Sequence, residues 1–183
     1  AIDKYDNWAS LQYPVSDCQR FFSVLKESYG FSDENFIIQP LFDENAKTDI
    51  VFDEICYLAD KDENGERRVR PDENLIIYFS GHGHFDKNKE GYWVPSDAPV
   101  LSERPSDLKK LISVSEVIRI LSNIRAHHIV LIVDACFSEA FTTMEIDVSQ
   151  ESQSAEAEEV PSRWVLTAGR NGVVPDKSPF ADA

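Results

Sequence analysis

Four short apolar runs stand out along the chain: Phe36-Ile37-Ile38, Leu75-Ile76-Ile77-Tyr78-Phe79, Ile129-Val130-Leu131-Ile132-Val133 and Trp164-Val165-Leu166. They are β-branched, aromatic or leucine-rich, and they do not alternate with polar residues. Strands buried on both faces have this pattern, as in a parallel sheet covered by helices. Between the runs the apolar period changes to three and four. Pro14 to Tyr29 places Val15, Cys18, Phe22, Leu25 and Tyr29 at helical steps, with Gly30 as a C-terminal cap. Residues 48 to 60 carry Val51, Ile55, Leu58 and Ala59 on one face. Ser113 opens a further helix with Glu116 three residues on, a capping-box pattern, and its stripe is Val114, Val117, Leu121 and Ile124.

Strands alternating with helices predict right-handed βαβ units and a three-layer α/β fold with a mostly parallel central sheet. The segment 82 to 112, rich in Asp, Lys, Pro and Ser, reads as hairpin and loop. Residues 146 to 160 are Ser- and Glu-rich with little to bury, so an acidic flexible loop is expected over 144–161. Ala1-Ile2 reads as the tail of a strand and Ser178-Pro179-Phe180-Ala181 as a helix start. The expectation is therefore one domain over 1–183, truncated at both ends, with regulatory domains in the flanking regions.

Composition narrows the function. A chain of 183 residues supports one sizeable core. Thirty-three acidic against 18 basic residues give a formal charge of −15, which repels phosphate backbones and favours basic peptides, so nucleic-acid binding is not expected. No apolar run approaches the roughly 20 residues that span a bilayer, so no membrane partner is expected. Cys18, Cys56 and Cys136 are odd in number and widely spaced, neither a disulfide framework nor a zinc pattern. A reducing, cytoplasmic setting follows as the expectation.

The candidate chemistry lies at two strand ends. In open α/β sheets, sites form beyond the carboxyl ends of the strands. One apolar run leads into Ser80-Gly81-His82-Gly83-His84 and another into Asp134-Ala135-Cys136-Phe137-Ser138. If those strands are neighbours, an imidazole faces a thiol. A thiol near its reference pKa of about 8.5 is only a few per cent thiolate at neutral pH, so a base beside it matters. The glycines around His82 let the backbone approach a substrate closely. The N–H groups of Gly83 and Cys136 are then the expected donors to the oxyanion of a tetrahedral intermediate. Cys18 and Cys56 fall on helices and read as packing residues, and His127 and His128 as edge or loop residues. His84 forms an HxH pair with His82, but only Asp86 follows nearby, too few ligands for a metal site.

Tyr78-Phe79-Ser80-Gly81-His82-Gly83 resembles the histidine motif of caspase-like cysteine peptidases. Asp134-Ala135-Cys136-Phe137-Ser138 resembles their cysteine motif, above all in the metacaspase and bacterial caspase-like branch. The two residues are 54 positions apart, against about 50 in caspases. Gly91-Tyr92-Trp93-Val94-Pro95-Ser96-Asp97-Ala98 and Ser162-Arg163-Trp164-Val165-Leu166-Thr167-Ala168 resemble that branch's hairpin and next core strand, so the similarity runs from Asp3-Lys4-Tyr5 to Ser178-Pro179-Phe180.

The resemblance implies an endopeptidase with His82 and Cys136 as its catalytic pair. Caspases that cut after aspartate carry Gln two places before the cysteine; here Asp134 stands there, as in metacaspase-like members, where it lines the pocket for the residue before the cut. Asp17 and Ser80 match two further pocket positions. Together they imply cleavage after Arg or Lys, which two carboxylates would hold by charge-assisted hydrogen bonds. A solvated helix charge is the other account of Asp17. Some metacaspases need calcium, held by clustered acids that include one shortly after the cysteine segment. Here Glu139 to Met144 offers only Glu139, with Thr143 at a matching place, so no metal or other cofactor is expected. A catalytically silent scaffold or sensor domain and a metal-dependent hydrolase using His82 and His84 are the competing functions. Finally, no Lys or Arg lies between Cys136 and Arg163, so an enzyme of basic specificity cannot cut itself there.

Overall fold

Three of the four apolar runs form one parallel sheet. The computed structural model describes residues 1–62, 64–88, 90–102, 104–135 and 161–167. Strands β1 (Asn74–Ser80), β5 (His128–Asp134) and β6 (Ser162–Thr167) lie in the order β1-β5-β6. Both ladders are parallel. Leu75 pairs with Ile129, Phe79 with Val133, and Ser80 with Asp134 at the end of the ladder. Val130 pairs with Trp164. Two antiparallel ladders join β2 (Gly83–Phe85), β3 (Gly91–Trp93) and β4 (Ile112–Ser113) into a second, smaller sheet, the hairpin expected after His82.

The helices complete the layers. On one side of the main sheet, α2 (Thr48–Ala59) and α4 (Val114–Ser122) pack Ile55, Leu58, Val117, Ile120 and Leu121 against Leu75, Phe79, Ile129, Leu131 and Val133. On the other side, α1 (Pro14–Tyr29) lies against β1, with Phe21 stacked on Tyr78 at 5.2 Å between ring centroids. A short helix, α3 (Pro105–Leu108), precedes β4. The result is the three-layer α/β arrangement expected from the alternating pattern.

The helix signals act as their residues suggest. Gly30 takes φ 72°, and the Phe31 N–H reaches back to the Leu25 carbonyl at 3.2 Å, closing α1 with a left-handed turn. Ser113 caps α4 by accepting the Glu116 N–H at 3.2 Å. Glu116 does not close the expected box: its carboxylate takes Arg119 at 2.6 and 2.9 Å. Glu90, from the hairpin, does the second half of the capping. It accepts the hydroxyls of Ser113 (2.6 Å) and Ser115 (2.7 Å) and the Ser115 N–H (3.1 Å).

Two expectations are corrected. Phe36-Ile37-Ile38 is not a strand; it follows a 3₁₀ turn at Asp33–Asn35 and runs irregularly. Its rings and branches line an apolar cavity of about 240 Å³ together with Phe21, Phe22, Leu25 and Ile55. Burying side chains against a cavity satisfies an apolar run without a ladder, so the residue types alone misread it. Nor is the sheet covered on both faces throughout. Trp164 and Leu166 on β6 are each 54% exposed, whereas the main packing of α1 is against β1. The acidic stretch 144–161, except its last residue, and the helix start at 178–181 lie outside the described residues.

Candidate active site

His82 sits two residues beyond the end of β1. The turn that carries it stays docked on the neighbouring strand, with the Gly81 N–H donating to the Asp134 carbonyl at 3.1 Å. A side chain at position 81 is excluded: a Cβ there would lie 2.6 Å from the Tyr5 hydroxyl. The close approach that requires glycine is thus to Tyr5, an internal partner.

The residues that hold the imidazole come from the start of the chain. The His82 N–H donates to Tyr5 Oη at 2.8 Å, and its carbonyl accepts the Val94 N–H at 3.0 Å. The Tyr5 ring lies 4.8 Å from the imidazole and the Trp8 ring 5.6 Å from it. Nε2 of His82 is 2.7 Å from the Ala9 carbonyl. A carbonyl only accepts, so Nε2 carries a proton and Nδ1 is the ring nitrogen left to accept one. Burial pushes the Tyr5 phenol pKa up, against the opposing pull of the His82 N–H, so Tyr5 stays a neutral partner.

Residues 3 to 9 form a strap across the imidazole. Asp43 Oδ1 accepts the N–H groups of Asp3 (2.8 Å) and Lys4 (3.0 Å). The Asp6 N–H donates to Ser96 O at 2.8 Å, Asn7 Nδ2 to Ala98 O at 3.0 Å and Trp8 Nε1 to Pro99 O at 3.0 Å. Nothing in a single sequence couples positions 5, 8 and 9 to position 82. The only signal was the placement of aromatics at Tyr5 and Trp8 in an otherwise polar segment.

The direction of the Gly83 N–H follows from the ladder's phase. The Val94 N–H donates to the His82 carbonyl and the Asp86 N–H to the Glu90 carbonyl, and bonded pairs alternate with non-bonded ones in antiparallel pairing. Gly83, opposite Trp93, is therefore a non-bonded position, and its N–H points away from β3.

The three expected pocket residues converge. Asp17 on α1 and Ser80 at the end of β1 are each 2% exposed. Asp17 is thus not a solvated helix charge. Ser80 pairs with Asp134 in the parallel ladder. Tyr78, on the same face of β1 as Ser80, ties the group together. Burial raises its pKa, and the charges of Asp134, Cys18 and Asp17 add to that, while a hydrogen bond from Ser80 opposes it. Sequence reasoning missed Tyr78, which looked like one more apolar strand residue.

Cys136 lies outside the described residues. In sequence it follows Asp134 by two places, as His82 follows Ser80. The other two thiols are poor nucleophiles. Burial pushes Cys18 up to about 11, and Cys56 is raised by burial and then by nearby acids, Asp53 first. His84 faces Trp8 and Tyr92, and no group of three His, Cys, Asp or Glu side chains that would hold a metal occurs among the described residues. His128 binds the Ser162 hydroxyl at 2.8 Å through Nδ1. No helix among the described residues is long and apolar enough to cross a membrane.

A parallel α/β sheet with an imidazole held beyond one strand end and a buried acid on the adjacent helix is the arrangement of a site built on strand-end loops. Comparison with known families makes this specific: the model of the caspase domain, peptidase family C14, matches residues 1–174. The chain belongs to the caspase-domain family of cysteine peptidases. A search of curated proteins returns no match.

Proposed function

We propose that this chain is an endopeptidase that cuts after Arg or Lys, with Cys136 as nucleophile and His82 as acid–base partner. The observation that carries the specificity is the burial of Asp17 and Ser80 at the strand end where Asp134 closes the β1–β5 ladder. A guanidinium or ammonium entering between two carboxylates replaces its hydration with charge-assisted hydrogen bonds. Asp134, in place of the Gln of aspartate-specific caspases, aligns the chain with the metacaspase-like branch.

The chemistry then runs in two halves. Nδ1 of His82 takes the Cys136 proton as sulfur attacks the scissile carbonyl carbon. The resulting oxyanion is received by the N–H groups of Gly83 and Cys136. His82 gives the proton to the leaving amine as the C–N bond breaks, which leaves an acyl-cysteine. Water, deprotonated by His82, cleaves the thioester and restores the thiol. The Ala9 carbonyl keeps Nε2–H in place through both halves. No metal or cofactor enters these steps. Its partners are proteins with basic sites rather than nucleic acids, and a reducing compartment would keep the thiol available.

The test is a peptide library varied at the residue before the cut. Arg and Lys should dominate. Cys136→Ala should reduce cleavage to background with the fold intact. Asp17→Asn and Asp134→Asn should each lower kcat/KM on Arg peptides by roughly 10- to 100-fold, the size of a lost hydrogen bond to a charged group. Full activity in Cys136→Ala would remove the nucleophile assignment. Equal cleavage after Arg and Asp would remove the acidic pocket.

A further inference from the structure

We infer that Trp8, His84 and Tyr92 form a subsite for an aromatic side chain on the residue that follows the scissile bond. This rests on the peptidase function proposed above and extends it to the leaving-group side. Five rings form a continuous row: Tyr5 lies 4.8 Å from His82, His82 5.6 Å from Trp8, Trp8 6.4 Å from His84, and His84 6.2 Å from Tyr92. Trp8, His84 and Tyr92 are all half-buried, so each keeps part of its surface open. The row is held in place. Trp8 is pinned through Nε1 to the Pro99 carbonyl, and His84 and Tyr92 are opposed in the β2–β3 ladder.

The position of the row decides its role. The acidic pocket lies at the ends of β1 and β5, on the α1 side. The hairpin leaves His82 in the other direction, and His84, two residues along an extended chain, shares the face of His82. A substrate with its basic side chain in the pocket and its scissile bond at His82 must carry the following residue onto the hairpin side. His82 protonates the leaving amine, so the group attached to that amine lies along the imidazole's flank. The neighbours on that flank are Trp8 and then His84. Burial lowers the His84 pKa, against a smaller opposing effect from Asp86, which keeps the platform uncharged near neutral pH. Flat rings with centroids at these spacings accept a further ring edge-on or offset.

The experiment uses peptides identical up to a scissile Arg and differing only in the next residue: Phe, Leu, Gly or Asp. Wild-type kcat/KM should favour Phe over Gly by roughly fivefold, the scale of an added aromatic contact. Trp8→Ala will slow every peptide because Trp8 also leans on His82, so the readout is the Phe-to-Gly ratio, which should fall to about one. His84→Ala, in the short hairpin rather than in the strap that holds His82, should lower the same ratio and guards against a folding failure in Trp8→Ala. A wild-type ratio of one, or a ratio unchanged in both variants, overturns the subsite while leaving basic specificity standing. If no Arg peptide is cut whatever follows it, the peptidase function fails and the subsite fails with it.

Discussion

Tyr5 is the residue on which the placement of His82 turns. Its hydroxyl accepts the His82 N–H and fills the space that a side chain at Gly81 would need. Tyr5→Phe leaves that part-buried N–H without its acceptor, a loss of about 1–3 kcal/mol. Denaturant unfolding should show a drop of that size. kcat should fall by roughly tenfold with KM little changed, since the imidazole's aim rather than substrate binding is affected. His84 supplies a pH dependence. Its folded pKa lies below the ordinary value, from burial first. The unfolded chain therefore binds more protons between that lowered value and about 6.5. Its contribution is present above about pH 6.5 and is lost as pH falls. Acidification from pH 7.5 to 5.5 should lower the Tm of the wild type more than that of His84→Gln; equal shifts would place the effect elsewhere.

At the scale of elements, α4 owes its start to a neighbour. Ser113 caps it as the sequence predicted, but Glu90 binds three groups of its first turn from the hairpin. Ser113→Ala should cost about 1 kcal/mol. Glu90→Ala removes the acceptor of three bonds, one of them to a backbone N–H, and should cost more, about 2–3 kcal/mol. Thermal unfolding of the two variants side by side checks the order. The strap of residues 3–9 is held in the same way. Its anchors at Asp43, Ser96, Ala98 and Pro99 are partners more than 30 residues away in sequence, and Asp3 adds shorter ties by accepting the N–H groups of Leu11 and Val15. Local propensity has no bearing on the long-range anchors.

For the whole molecule, the distribution of charge matters more than its sum. The chain carries a formal charge of −15, and no Lys or Arg lies between Cys136 and Arg163. An enzyme of basic specificity lacks a site for itself throughout that stretch. Purified active protein, incubated and analysed by mass spectrometry, should remain one chain through 144–162. A cut after any residue from 140 to 160 would contradict either the specificity or the single-chain state.

Much of this was legible before any coordinates. The runs at 75–79, 129–133 and 164–166 are continuous apolar stretches, and the Ser113 and Gly30 signals are local, so strands, helices and caps could be read from neighbours in sequence. The positions of His82 and Asp134 at strand ends followed from the same local pattern. The run at 36–38 was misread because burial against a cavity and burial in a sheet ask for the same residue types. The sequence by itself determined the α/β architecture, the motifs around His82 and Cys136, and the positions of Asp17, Ser80 and Asp134 in the chain. Only the tertiary structure decided that Asp17 is buried beside the β1–β5 end, that Nε2 of His82 is held by Ala9, that Tyr5 and Trp8 flank the ring, and that Glu90 caps α4. The reason is physical: those contacts join residues tens of positions apart, and their energy comes from packing and hydrogen bonds that exist only once the layers have closed.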